Sequence, residues 1–307
     1  MKDPALTLEL KKKPAMGLIF FRAFIISLFR SATIADDAVV EKNRIVMRNC
    51  ALDEKLIRSY RKVCGFSESD HDTVPISYIQ TLFIGLLGKF IVSPFFPLTP
   101  LGLIHVFQSL EQERPVRTDE ILDLECTLDC ISKTAKGVET GFVLRALCRD
   151  NVVWQGKSRF FTRARVKSGT QGTRRIKNIS EPVFPEKKQI ISVPADTGRR
   201  YAGVSGDLNP HHLHPAAARF FGFKRAIAHG MWTLARAAAG LDAEIGINDR
   251  ATIEAWFKRP VFMPSRIAFG YEHVQDSTES GPDITEFGLW DDEKNIPHLK
   301  GRLINFT

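Results

Sequence analysis

The sequence predicts an α+β protein built from two tandem halves of similar layout. The chain has 307 residues, which suggests two domains at the usual ~150 residues each. In each half an apolar stretch suited to a helix comes first, and strand-like runs of alternating residues follow it. One helix followed by several antiparallel strands, twice over, is an α+β pattern.

The predicted elements occur in the same order in both halves. The helical stretches are residues 76–92 and 231–241. The strand-like runs of the first half are residues 103–110, 121–132, 141–149 and 152–162. Those of the second half are residues 251–256, 265–273, 284–289 and 298–306. Their alternation favours antiparallel strands with one buried face.

Two short matches indicate that the halves are copies of one another. The segment YRKVCGF at residues 60–66 matches YAGVSGD at residues 201–207 in Tyr, Val and Gly. The triplet Arg-Pro-Val occurs at residues 114–116 and again at residues 259–261, each time before a strand-like run. Because both matches have the same order and nearly the same spacing, they predict an internal duplication.

Composition divides the chain into four segments. Residues 163–177 are basic, contain Gly, Ser and Thr, and lack apolar periodicity, which indicates a linker. We therefore expect an N-terminal amphipathic segment, a first half, a linker and a second half. These are residues 1–44, 45–165, 166–187 and 188–307.

The N-terminal segment contains an apolar run, residues 15–29, that follows three lysines. The run is shorter than the ~20 residues that span a bilayer, and Arg22 lies in its middle. No small-residue cleavage site of a secretory signal is obvious after it. We expect a helix packed on the body of the protein, and contact with a membrane surface stays open as the alternative.

The charge and the cysteine content of the chain limit the classes of binding partner and the compartment that we expect. The formal charge of +8 favours phosphate-bearing or acidic partners. No nucleic-acid recognition motif is present, so we expect no nucleic-acid partner. Five cysteines without zinc or disulfide spacing predict free thiols in a reducing cytoplasm.

The stretch richest in chemistry is YAGVSGDLNPHH, residues 201–212. Gly206 and Pro210 favour turns on either side of Asp207, and the side chain of Asn209 can fix the loop through bonds to the backbone. A carboxylate and an imidazole on such a loop, Asp207 and His212, can converge on one water as general acid and base.

The start of the second helical stretch offers a further group. Gly230 opens the apolar run, and a backbone N–H at a helix start stabilises negative charge on a substrate oxygen. Glycine has no side chain to block a close approach. We therefore expect Gly230 to face the substrate carbonyl.

These residues resemble the signature of the MaoC-like hydratase/dehydratase family: Tyr-x-x-x-Ser-Gly-Asp-x-Asn-Pro-x-His, then Gly-Phe and Ala-His-Gly-Met. Every fixed position is present between residues 201 and 231. The resemblance implies an α+β double hot-dog fold, in which a long helix in each half is wrapped by an antiparallel sheet. It also implies reversible syn hydration of trans-2-enoyl thioesters to (R)-3-hydroxyacyl thioesters, with no metal or redox cofactor.

The resemblance carries roles for individual residues. Asp207 and His212 would be the acid/base residues, and the N–H of Gly230 would be the oxyanion donor. Residues expected to contact substrate or shape its site are Ser205, Asn209, His229 and Met231. The expected substrate carrier is coenzyme A or acyl carrier protein, and candidate phosphate-binding pairs are Arg199–Arg200, Lys224–Arg225 and Lys258–Arg259.

Other interpretations of the motif stay open. Asp207 could cap the following helix. A zinc cluster could be drawn from four histidines, although no cysteine or further carboxylate joins it naturally. These are His211, His212, His214 and His229. The family usually has an aliphatic residue where His211 stands.

The first half lacks the chemistry of the second. Phe66 stands where Asp207 stands in the other copy, and no Asn-Pro turn follows it. We expect structural roles for His71 and His105. In double hot-dog relatives such a loss goes with room for a bulkier acyl chain, here along residues 76–92.

These observations together predict a cytoplasmic hydro-lyase, with further homodimerisation as a plausible addition. Two alternatives remain at this point. One is a hot-dog acyl thioesterase, and the other is a non-catalytic acyl-binding protein held at a membrane by its N-terminal segment.

Overall fold

A computed structural model describes residues 6–29, 43–100, 102–134, 136–163, 187–274 and 281–306. The helices are α1 Met16–Phe29, α2 Glu54–Cys64, α3 Ile79–Leu82, α4 Ile84–Ile91, α5 Thr197–Ser205, α6 Pro210–Leu213, α7 Pro215–Phe220 and α8 Gly230–Glu244. The strands are β1 Thr7–Leu10, β2 Arg44–Ala51, β3 Ile104–Gln112, β4 Ile121–Thr134, β5 Gly137–Cys148, β6 Asn151–Arg163, β7 Lys187–Val193, β8 Ala251–Phe257, β9 Ser265–Val274, β10 Asp283–Asp291 and β11 Pro297–Asn305.

The strands form one continuous sheet in the order β1-β2-β4-β5-β6-β3-β8-β11-β10-β9-β7. Strands of each half stay together, and the antiparallel pair β3–β8 joins them, with Gln108 opposite Ala255. Only β1 and β2 pair in parallel among the described strands. The tandem copies therefore share one sheet across their boundary.

The predicted duplication is visible in matching local structure. Helices α2 and α5 both end at a left-handed glycine with φ of 79°, Gly65 and Gly206. The equivalent tyrosines, Tyr60 and Tyr201, are buried with ring centroids 6.0 Å apart. The two helices thus meet around a symmetry-related aromatic pair.

The Arg-Pro-Val triplets also occupy equivalent places. The carbonyl of Val116 accepts a hydrogen bond from Val74 N–H at 2.8 Å, and that of Val261 accepts one from Ala228 N–H at 2.8 Å. Each bond ties the triplet to the segment leading into the central helix of its half. Sequence and structure therefore identify the same repeat.

The central helices of the two halves differ in continuity. In α8 the successive alanines 237–239 are buried, and the Cβ missing at Gly240 would lie 2.7 Å from the Phe269 ring. In the first half the predicted helix over residues 76–92 is divided at Phe83, whose N–H bonds the Gln80 carbonyl three residues back. Its ring stacks on Trp154 at 5.6 Å, so the tightened turn is packed into the sheet.

All eight predicted strands are confirmed, with boundary shifts of a few residues. Three described strands were not predicted: β1, β2 and β7. In β2 the alternation is broken by a register shift between Met47 and Cys50, next to Asn49 at φ of 54°. Most of the predicted linker lies outside the described residues, and the domain limits remain a prediction.

The N-terminal apolar run contains α1, which packs on α4. Ile19 and Ala23 are buried together with Val92. Among the described residues, no helix has the length and apolar character needed to cross a membrane.

Candidate active site

The loop after α5 holds Asp207 through short-range backbone bonds. The Ser205 hydroxyl accepts from the Asp207 N–H at 3.2 Å, and Asp207 Oδ1 accepts from the Asn209 N–H at 3.2 Å. Asn209 occupies the N-cap position of α6, so Asp207 is not the cap. The Asn209 side chain makes no capping bond; its backbone fixes the loop instead of its amide, contrary to expectation.

The His212 imidazole is buried in α6, with 8% of the residue exposed. Its Nδ1 lies 2.8 Å from the Ile227 carbonyl oxygen, so an Nδ1–H donates to that acceptor. Burial, reinforced by the neighbouring imidazoles of His229 and His211, holds the pKa of His212 well below its ordinary value of 6.5. His212 is therefore neutral at physiological pH, and its Nε2 carries a lone pair that can accept a proton.

His229 ties the start of α8 to the Asp207 loop. It is 2% exposed, and its Nε2–H donates to the Asp207 carbonyl oxygen at 3.0 Å. Burial lowers the pKa of His229 to about 3. Its ring also stacks on His212 with centroids 3.7 Å apart. The neutral imidazole of His229 therefore contacts both the Asp207 loop and the His212 ring and holds them in position.

Asp207 and His212 converge as the sequence predicts. One ligand atom each from Asp207, His212 and His229 lies within 4.8 Å of the others. The Asp207 side chain is 32% exposed, while both imidazoles are buried. A carboxylate and a neutral imidazole at this separation can hold one water between them.

Gly230 is the first residue of α8 and follows the N-cap residue His229. The first N–H groups of a helix have no partner within it, so this end offers hydrogen-bond donors. However, the Cβ missing at Gly230 would lie 3.2 Å from the Phe257 ring. The glycine accommodates Phe257, rather than leaving the open space that the sequence argument assumed. Met231 beside it is partly buried against the core.

The four-histidine zinc cluster does not form. His214 is the N-cap residue of α7, and its Nδ1 accepts from the Ala216 N–H at 3.2 Å. The His211 ring packs on His212 at 4.0 Å and on Phe221 at 5.4 Å. Among the described residues, the group with metal-ligand spacing is instead Asp207, His212 and His229.

The structure brings a residue of the first half toward the site. His105 on β3 stacks on Phe160 at 4.6 Å and on Phe257 at 4.8 Å, and Phe257 is the ring that packs on Gly230. Burial lowers the pKa of His105 to about 4, with the charge of Asp207 acting in the opposite direction. The structural role that sequence analysis assigned to His105 stays a prediction. Its packing on Phe257 of the other half could not be predicted, because strand pairing across the two halves has no local signal. His71, by contrast, is exposed.

A cavity of about 180 Å³ borders the catalytic loop. One wall is the segment Gly203–Gly206, which ends directly before Asp207. The opposite wall comes from the first-half helices and includes Tyr78, Leu82 and Leu86. Apolar side chains of residues 76–92 thus line this cavity together with residues 203–206, whereas Asp207 and His212 do not line it. The space for an acyl chain along residues 76–92 stays a prediction.

Comparison with known proteins identifies the fold and the motif. Residues 176–285 match the family model described as MaoC like domain. The predicted resemblance to the MaoC-like family is confirmed over these residues. The chain is 25% identical over 255 residues to 3-hydroxyacyl-thioester dehydratase X of Mycobacterium tuberculosis, covering 83% of the chain and 86% of that relative.

Solved structures extend the likeness to both halves. The crystal structure of HtdX from M. tuberculosis matches with a TM-score of 0.70 and 23% identity, covering 85% of this chain and 99% of that one. A MaoC-like dehydratase from Phytophthora capsici matches with a TM-score of 0.71 and 18% identity, covering 89% and 98%. The predicted α+β double hot-dog fold is confirmed.

Proposed function

We propose that this chain catalyses the (R)-specific hydration of trans-2-enoyl thioesters and the reverse dehydration of (R)-3-hydroxyacyl thioesters. The observation that carries the proposal is the convergence of Asp207 with a neutral His212 at the start of α8. The MaoC-like domain and the dehydratase name of the 25% identical relative support it.

In the hydration direction one water molecule supplies both the hydroxyl group added to C3 and the proton added to C2. Asp207 orients the water, and His212 Nε2 accepts its proton while the hydroxyl oxygen bonds to C3. The π electrons move toward the thioester oxygen, and the proton held by His212 then ends on C2. Because one side-chain pair delivers both groups, they add to the same face, which is syn addition. These transfers call for no metal and no redox cofactor.

Negative charge develops on the thioester oxygen during this step. The N–H at the start of α8, at Gly230, is the donor that we assign to it, since the helix dipole and the unpaired amides act together there. The Phe257 ring lies against Gly230 at this end of the helix.

The substrate carrier is, on our proposal, coenzyme A or an acyl carrier protein. Of the three exposed basic pairs, Lys258–Arg259 directly follows Phe257 and is therefore adjacent in the chain to the ring at Gly230. Burial lowers the pKa of Lys258, and repulsion from the positive charge of the nearby Lys300 lowers it further. A bound phosphate would offset the repulsion between these two ammonium groups.

The acyl chain is assigned to the cavity between the catalytic loop and the first-half helices. Leu82 and Leu86 supply its apolar wall. Localisation in the cytoplasm agrees with the five free cysteines, all of which lie in the described residues. Assembly into a homodimer stays a prediction.

The direct test is an assay of enoyl thioesters of increasing chain length with variants Asp207→Asn and His212→Ala. Each change should lower turnover by roughly 100-fold or more, because each removes one partner of the acid–base pair. Matched controls are Asp119→Asn and His71→Ala, which alter exposed residues of the same types in the first half.

Two readings of the assay separate the candidate activities. A hydratase removes the absorbance of the conjugated enoyl thioester without releasing thiol, whereas a thioesterase releases free thiol. Thiol release that matches substrate loss, or full activity in both site variants, would overturn the proposal.

A further inference from the structure

Helix α1 has two apolar faces, and the body of the protein covers only one. The inner face packs on α4 and Val92; its members are Met16, Ile19, Ala23 and Ile26. The Cβ missing at Gly88 would lie 3.1 Å from Ile19, so the helices are in close contact. The orientation of α1 is thereby set by its inner face.

The outer face of α1 is apolar and open to solvent. Leu18, Phe21 and Leu28 are 60%, 63% and 62% exposed, and the terminal Phe29 is 84% exposed. Of the fifteen exposed large hydrophobic residues in the described part of the chain, six lie on this one helix. Scattered exposed apolar residues need no explanation, but a continuous apolar helix face indicates an interaction surface.

Positive charge borders this face. Lys11, Lys12 and Lys13 are exposed immediately before the helix, and Arg22 is exposed at the edge of the apolar stripe. Long basic side chains at the edge of an apolar face can reach anionic headgroups while the apolar residues enter the interface.

We propose that α1 rests its outer face on an anionic membrane surface and holds the enzyme there. The helix has 14 residues, fewer than the ~20 needed to span a bilayer, so it lies in the plane of the interface. A second copy of the chain is the weaker candidate partner, because α1 of that copy contains no acidic side chain that could pair with the basic border of this face.

Helix α1 lies beside the cavity assigned to the acyl chain, so membrane contact through α1 has a functional consequence that rests on the proposed function. Lys13, Pro14 and Met16 line the cavity assigned to the acyl chain. The Cβ missing at Gly85 would lie 2.9 Å from Pro14, so this segment closes against α4. Membrane contact through α1 would place that side of the cavity beside lipid, where long acyl chains partition.

The test is co-sedimentation of the 307-residue chain with vesicles of phosphatidylcholine alone and of phosphatidylcholine mixed with phosphatidylglycerol. We expect binding to the anionic vesicles that weakens with salt. The double variant Phe21→Asn/Leu28→Asn should bind at least ~10-fold more weakly, since it removes two inserted side chains. Ile121→Asn/Val152→Asn, which alters exposed apolar residues on β4 and β6, is the matched control and should bind normally.

Three outcomes would overturn the proposal: no binding by the wild-type chain, equal binding to both vesicle types at all salt concentrations, or equal loss in both double variants. Sedimentation equilibrium adds a decisive comparison: a dimer abolished by Phe21→Asn/Leu28→Asn, without vesicle binding, assigns the face to a second copy. Active enzyme without vesicle binding refutes only the membrane contact, whereas vesicle binding without hydratase activity refutes only the proposed function.

Discussion

At the scale of single residues, backbone partners decide the chemistry of the site. The Ile227 carbonyl takes the Nδ1 proton of His212, and the Asp207 carbonyl takes the Nε2 proton of His229. Each neutral imidazole therefore has a defined tautomer, because a carbonyl oxygen can only accept. In His212 the Nε2 atom therefore keeps a lone pair that can accept a proton. In His229 the buried Nδ1 atom has no hydrogen-bond partner among the described residues.

The depressed pKa of His212 predicts the acid limb of the pH–rate profile. A protonated imidazole cannot accept a proton, so activity should be lost as pH falls through the pKa of His212. Burial holds that pKa well below 6.5, and kcat/KM should consequently stay high at pH values where an exposed histidine is already charged. Hydration rates measured across the acid range, with circular dichroism to verify folding, check this. An acid limb centred at or above 6.5 in folded enzyme would contradict it.

His105 predicts a trade of stability against activity. Its buried Nε2 has no partner among the described residues, which costs free energy. The change His105→Phe should raise the free energy of unfolding by about 1 kcal/mol and lower kcat/KM, since a polar group near Asp207 is lost. Urea unfolding and the hydration assay measure the two effects. His71→Phe is the control, and a less stable but fully active His105→Phe enzyme would refute the prediction.

At the scale of elements, glycines set where helices approach each other or a ring. Gly88 admits Ile19 of α1, and Gly230 admits Phe257 at the start of α8. Sequence inspection identified Gly230 as a site of close approach, but the approaching group in the structure is a side chain of β8. A glycine in a helix shows where another group can approach closely. Which group approaches depends on the strand that packs beside the helix, here β8 with Phe257.

A larger side chain at Gly88 should weaken the packing of α1 on α4. A leucine there would collide with Ile19, so α1 would leave α4, lose the packing that keeps it helical, and become a trypsin substrate at Arg22. Gly88→Leu should be cleaved at Arg22 at least ~10-fold faster than wild type, while the rest of the chain stays protected. Gly17→Leu is the matched control, because nothing lies within 4 Å of its added Cβ. Equal cleavage of the two variants would show that α1 is not held through Gly88.

At the scale of the whole molecule, the two halves are bound through their helices as well as the sheet. Trp232 Nε1–H donates to the Val63 carbonyl at 3.2 Å, and Arg236 donates to the Cys64 carbonyl at 3.2 Å. Both bonds run from α8 of the second half to the end of α2 in the first. The degenerate copy thus supports the helix that carries the proposed oxyanion donor.

Buried neutral histidines predict acid sensitivity of the whole fold. His105, His212 and His229 have pKa values below 6.5 in the folded chain, at about 4 for His105 and about 3 for His229. Below pH 6.5 the unfolded chain binds protons that the folded chain does not. Stability should therefore fall with decreasing pH, by up to about 1.4 kcal/mol per pH unit for each such histidine.

Urea unfolding at about pH 7.5 and about pH 5.5 measures this loss. His105→Phe should show a smaller loss than wild type between these values, because one titrating histidine is gone. His71→Phe should show the wild-type loss, since His71 is exposed. Stability that rises as the solution is acidified would contradict the prediction.

The sequence alone determined the repeated α+β layout, the eight predicted strands and the loop with Asp207 and His212, because those features depend on local periodicity and on a continuous motif. Only the tertiary structure decided that His105 packs on Phe257, that Phe257 occupies the space at Gly230, and that α1 leaves one apolar face uncovered. These are contacts between residues far apart in the chain. Strand pairing and burial create them, and burial also shifts the imidazole pKa values on which the proposed chemistry depends.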